Sequence, residues 1–161
     1  MTSTPTVDDA FADRIYNQVC FACGDLNGHG LHMRFERDGE NAVRCTYVPK
    51  PEDQGFPGVL HGGIVAALLD ESMAWAMWAW DRALGVTAKM ETRYRRPIGV
   101  EGPLTVRGRV VRMRGRRIEV AATVDDAAGA RLAEAEALFL RLPPEEEARM
   151  ASALGWDVVP G

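Results

Sequence analysis

The stretch Gly58 to Asp81, GVLHGGIVAALLDESMAWAMWAWD, constrains this chain more than any other. Its apolar residues cover most of a helical circumference, which marks a buried helix rather than a surface one. A membrane span is the rival reading of such a run. Asp70 and Glu71 stand together at its centre, and each carboxylate would be costly in lipid. The run therefore reads as a helix inside a soluble domain, with the rest of the chain built to cover it.

Around this helix the sequence places strands. Leu31–Glu36 and Ala42–Val48 read as two, joined by a turn at Asp38-Gly39. Four more follow the helix: Val86–Arg95, Leu104–Met113, Arg116–Val124 and Arg131–Leu142, punctuated by Pro97, Gly99, Gly115 and residues 127–129. A short amphipathic helix is expected over 8–19, where Phe11, Ile15 and Val19 recur at spacings of four. Another is expected in the tail after Pro143, with surface character. The order predicts an α+β domain: an antiparallel sheet of five to six strands wrapped around one long central helix. The expected divisions are a helical lead-in over 1–19, the domain over 20–143 and a tail over 144–161. One helix cannot cover both faces of such a sheet, so a partner subunit is expected.

At 161 residues the chain is long enough for one domain with a real core. A net charge of -4 gives no reason to expect nucleic acid as a partner. The polar, acidic N-terminus shows no secretory or transit signal, and three cysteines cannot all pair within the chain. A reduced, cytoplasmic compartment follows as the expectation. Cys20 and Cys23 can be drawn with His29 and His32 as a zinc site. The gap between the pairs is short and no second CxxC follows, so structural or incidental thiols and no metal are expected.

The helix suggests chemistry. His61-Gly62-Gly63 at its start leaves backbone N–H groups unpaired at the positive end of the helix dipole, where an oxyanion or polarised carbonyl fits. The alternative is a tight loop-to-helix turn that needs two flexible residues. Asp70 lies eight residues beyond Gly62, roughly 12 Å along a helix. A catalytic carboxylate and an oxyanion hole must act on one carbonyl, within about 3 Å of their targets. One helix cannot supply both, but two helices antiparallel about a two-fold axis can. Asp70 of one chain would then face Gly62 of the other. At 100° per residue the Asp70 face also carries Gly63, Ala66, Met73, Ala74 and Met77, either an apolar pocket lining or plain core. Glu71 points away from it. Trp75, Trp78 and Trp80 read as core or interface. Arginines crowd the strands after the helix, either as a solvated face or as a docking surface for phosphates.

GFPGVLHGGIVAALLDE followed by VTAKMETRYRRPI resembles the hotdog-fold acyl-CoA thioesterases of the PaaI-like (phenylacetate-pathway) branch of the 4-hydroxybenzoyl-CoA thioesterase superfamily. The similarity runs from about Cys20 to Leu142, and CFACGDLNGHGLHMRF looks like the lead-in of many bacterial members. The resemblance implies a hotdog fold and hydrolysis of an apolar acyl-CoA, aliphatic or aryl, to free acid and CoA. It implies Asp70 as the acid that activates water or attacks the thioester. It implies the Gly62 N–H of the partner subunit as the carbonyl donor, His61 as the motif histidine and Thr87 as a hydroxyl orienting the nucleophile. Arg95 and Arg96 fall near where members hold the CoA phosphates. Some members carry Asn or Gln six residues before the motif histidine, where this chain has Gly55; Gln54 beside it is the substitute. The expected state is a homodimer, with pairing of dimers usual for the family. No metal or redox cofactor is needed, because a thioester has a good leaving group. Two other readings are a binding module that holds acyl-CoA without cleaving it and a hotdog dehydratase acting on hydroxyacyl thioesters.

Overall fold

The computed structural model describes residues 15–157. Six strands form one antiparallel sheet in the order β1-β2-β4-β5-β6-β3. They are β1 (Glu36–Arg37), β2 (Ala42–Tyr47), β3 (Gly85–Tyr94), β4 (Leu104–Arg114), β5 (Arg117–Asp125) and β6 (Arg131–Arg141). The sheet curls around α1 (Gly62–Asp81), and α2 (Pro144–Leu154) follows the last strand. Alternation along each strand explains the packing. Val106, Gly108 and Val110 of β4 and Ile118, Val120, Ala122 and Val124 of β5 are buried. Arg107, Arg109, Ala121 and Thr123 between them line a groove on the opposite face. Among the described residues no helix is long and apolar enough to cross a membrane.

Contact between helix and sheet is close at one point. A Cβ on Gly108 would fall 2.1 Å from the backbone oxygen of Ser72, in the middle of α1. Only glycine lets the helix settle onto β4 there. The other side of α1 is sealed by aromatics. Trp75 stacks on Tyr16 and Phe35, and Trp156 packs against Trp75 and Trp78 with centroids 5.6 and 4.8 Å apart.

One element differs from the sequence expectation. The first strand shrinks to Glu36–Arg37. Leu31, Met33 and Phe35 still alternate inward, but their N–H groups bond Phe21 O, Ala22 O and the Tyr16 hydroxyl instead of a sheet neighbour. The helix expected over 8–19 lies mostly outside the described residues; within them Ile15 is fully buried and Val19 is 69% exposed, out of any inward stripe. The tail helix has the expected surface character, with no buried residue, but the tail is anchored at both ends. Trp156 is 8% exposed and its indole N–H donates to Ile15 O at 3.1 Å, while Glu147 accepts from Leu84 N–H and from Arg141. Trp75 and Trp78 are core, whereas Trp80 is half exposed.

Candidate active site

The loop before α1 is braced from below. Asp53, 5% exposed, accepts the Tyr47 hydroxyl at 2.5 Å and Lys50 N–H at 2.9 Å, and its carbonyl accepts His61 N–H. Gln54 spends its amide on the same loop, donating to Pro51 O and accepting from Gly58 N–H. Its side chain thus closes the turn that leads into α1.

His61 caps α1, its Nδ1 accepting the Gly63 N–H at 2.8 Å. One of the two glycine donors is thereby used. The Gly62 N–H has no acceptor among the described residues, and Gly62 is exposed. Its carbonyl accepts the Tyr94 hydroxyl at 2.7 Å. Further along, the Thr87 hydroxyl donates to Asp70 Oδ1 at 2.6 Å, so the two residues singled out from different elements do meet. Only one oxygen of Asp70 is engaged in this bond.

Both contacts come from β3, and a bulge makes them compatible. Its register against β6 shifts between Thr87 and Lys89. Thr87 lies opposite Phe139 and Tyr94 opposite Ala133, both buried against the helix. In a regular strand, residues seven apart point to opposite faces. The extra residue resets the alternation, so Thr87 and Tyr94 both face α1.

Gly62, Gly63, Ala66, Ala67, Asp70 and Ala74 form a partly exposed strip along α1. Met73 and Met77 do not join it: they are 0% and 1% exposed. Helical angle alone placed them beside Asp70, but the sheet and the tail close over the second half of the helix. Met77 instead lines a cavity of about 70 Å³ with Glu71, Trp78 and Trp156. Arg95 and Arg96 are exposed; Arg95 pairs with Glu134 at 2.5 Å. Among the other arginines, Arg107 pairs with Asp38 and Asp125, Arg131 with Asp125, and Arg112 with Glu119. The outer face thus mixes paired arginines with acids.

Glu71 turns away from Asp70 toward the lead-in. It accepts Trp75 Nε1 at 3.1 Å and lies 3.7 Å from Cys20 Sγ. Burial pushes its carboxyl up to about 7. The Cys23 thiol beside Cys20 pulls Cys20 down to about 5, and Cys23 itself is pushed up. His29 and His32 are exposed and take no part in this cluster. The sequence reading missed Asp53 and the role of Tyr94. Tyr94 lay within a quoted motif; nothing in the local pattern distinguishes Asp53 from a solvated loop acid.

The sheet, the enclosed helix and the His61-Gly62-Gly63 start define a hotdog domain. The chain belongs to the thioesterase superfamily. The model of that family matches residues 57–133. The crystal structure of RHA08564, a thioesterase superfamily protein, is 33% identical with a TM-score of 0.71, covering 78% of this chain and 67% of that one. Acyl-coenzyme A thioesterase THEM4 of Rattus norvegicus is 27% identical over 116 residues, 71% of this chain and 50% of its own length. The chain spans about half the length of the curated relatives it matches. The fold is also that of smu.793 from Streptococcus mutans UA159, crystallised bound to acetyl CoA, with a TM-score of 0.64 at 18% identity over 68% of this chain and 88% of that one.

Proposed function

We propose that this chain is an acyl-CoA thioesterase of the PaaI-like branch, acting on an apolar acyl group, aliphatic or aryl, as a homodimer. The observation that carries the reading is the Asp70–Thr87 pair, held on the same open strip as an unpaired Gly62 N–H. Thr87 occupies one carboxylate oxygen and orients the other toward the strip. Asp70 takes a proton from water, and the water oxygen attacks the thioester carbon. The developing oxyanion is met by the Gly62 N–H of the partner subunit. The C–S bond then breaks and CoA leaves as the thiol. The small side chains of Gly63, Ala66 and Ala74 leave room for the acyl group. The reaction requires no redox cofactor.

The dimer is supported by the fold. β3 is a ten-residue edge strand, most of it exposed, with one backbone edge unpaired in the sheet. Such an edge invites pairing with another chain. Pairing two β3 strands about a two-fold axis sets two α1 helices side by side and antiparallel. That brings each Asp70 toward the other chain's Gly62. Arg96 and the positive end of α1 flank the entrance where CoA phosphates would lie.

Asp70→Asn is the direct test. It keeps the side-chain volume and still accepts from Thr87, so fold and assembly should be unchanged. Turnover of a good acyl-CoA, followed by release of free thiol, should fall by at least about 100-fold. Hydrolysis at the unmodified rate would overturn the assignment, and binding of CoA esters by the unmodified chain without any thiol release would make it a binding module.

A further inference from the structure

We propose that Cys20, Cys23 and Glu71 bind one zinc-class divalent ion that clips the lead-in segment to the central helix. Their ligand atoms all lie within 4.8 Å of one another. A tetrahedral ion with metal–sulfur bonds of about 2.3 Å and a metal–oxygen bond of about 2.0 Å sets sulfur and oxygen about 3.5 Å apart, and two sulfurs about 3.8 Å apart. Cys20 Sγ and Glu71 Oε1 are 3.7 Å apart, so that pair already stands at the spacing such an ion sets, and the whole set would close by no more than about 1 Å.

The surroundings are those of a built site. The turn from Cys20 to Gly24 closes with Gly24 N–H on Cys20 O at 2.8 Å. A Cβ on Gly24 would strike Gln18 O at 2.2 Å and Cys20 N at 2.5 Å, so the residue after the second cysteine must be glycine. Backbone N–H groups of Ala22 and Cys23 lie against the Cys20 sulfur. Gln18 reaches both cysteines: Nε2 donates to Cys23 Sγ at 3.2 Å and Oε1 accepts Cys20 N–H. Trp75 Nε1 holds Glu71 Oε1. Each ligand thus has an outer partner that fixes its direction, the arrangement that tunes metal ligands. Thiolates favour zinc over the hard ions calcium and magnesium, and three protein ligands leave a fourth position for water. Binding forms two metal–sulfur bonds and one metal–oxygen bond, and releases the thiol protons to solvent. The clip is separate from hydrolysis: Glu71 faces the lead-in while Asp70 faces the open strip.

The full chain, reduced and freed of metal with a chelator, is titrated with Co²⁺ and with Zn²⁺. The expected result is one ion per chain by native mass spectrometry, a thiolate-to-cobalt charge-transfer band, and loss of that band when zinc is added. Cys45→Ser should keep the band, because Cys45 is buried in β2, outside the cluster. Cys20→Ser and Cys23→Ser should abolish it, and Glu71→Gln should weaken binding about tenfold or more. Should a variant fail to fold, the unmodified chain decides. Equimolar zinc should protect Cys20 and Cys23 from alkylation, mapped by peptide mass, and leave Cys45 unaffected. No band and no protection in the folded, reduced chain would overturn the proposal, as would a band that survives Cys20→Ser.

Discussion

Gly62 offers one atom to the proposed reaction, its amide hydrogen, and that atom can be removed almost alone. Proline is well suited to the first position of a helix, where the missing N–H costs no intrahelical bond. The preceding His61 has ψ 133, the extended conformation that a following proline demands. A Cβ at this position comes no nearer than 3.7 Å to Tyr94. Gly62→Pro should therefore melt within a few degrees of the unmodified chain yet lower kcat by about 100- to 1000-fold; calorimetry beside steady-state thiol release checks both halves. At this scale Asp70, Gly62 and His61 were legible because helical spacing is arithmetic. The meeting of Thr87 with Asp70 followed only from resemblance. The Tyr94 hydroxyl on Gly62 O was not legible, because it depends on which way a strand residue faces after a bulge. Met73 and Met77 are buried, in keeping with the core alternative, and helical angle could not choose between the two: it says nothing about what covers each end.

Between elements, the seat of α1 on β4 is governed by Gly108. Adding a methyl group there drives it into Ser72 O, which is backbone and cannot swing aside. Gly108→Ala should cost about 2–3 kcal/mol of stability, read from the midpoint of urea unfolding. The second junction ties α2 to β6. Burial alone would raise the Glu147 carboxyl, but the Arg141 guanidinium and Leu84 N–H outweigh it and hold it below the ordinary 4.5. A group depressed in the folded state stabilises above its unfolded value and loses that contribution as pH falls through the folded one. Glu147→Gln should thus cost about 1 kcal/mol at pH 7 and nothing once the pH lies below both values. Thermal melts across pH check the convergence. The long helix and five of the strands could be read from period and turn residues. The segment 31–35 could not, since its inward alternation is that of a strand while its backbone partners lie in the lead-in. Nor could the docking of the tail, where one tryptophan after an acidic surface helix decides the matter.

For the assembled molecule, the proposal that each site draws on two chains has a consequence no single variant shows. Asp70→Asn and Gly62→Pro should each be inactive alone. Once mixed and allowed to exchange subunits, hybrid dimers carry one site with both lesions and one with neither, so about a quarter of full activity should return. Exchange is followed by native mass spectrometry and activity by thiol release; exchanged but inactive hybrids would place the carbonyl donor and the acid within one chain. The irregularity in β3 matters here as well. Deleting Ala88 would give this strand an unbroken ladder and a tidier sheet, yet it would swing either the threonine or the tyrosine outward. A chain improved by the standards of strand pairing would then be a worse catalyst, its acid left without a guide or its loop without a brace.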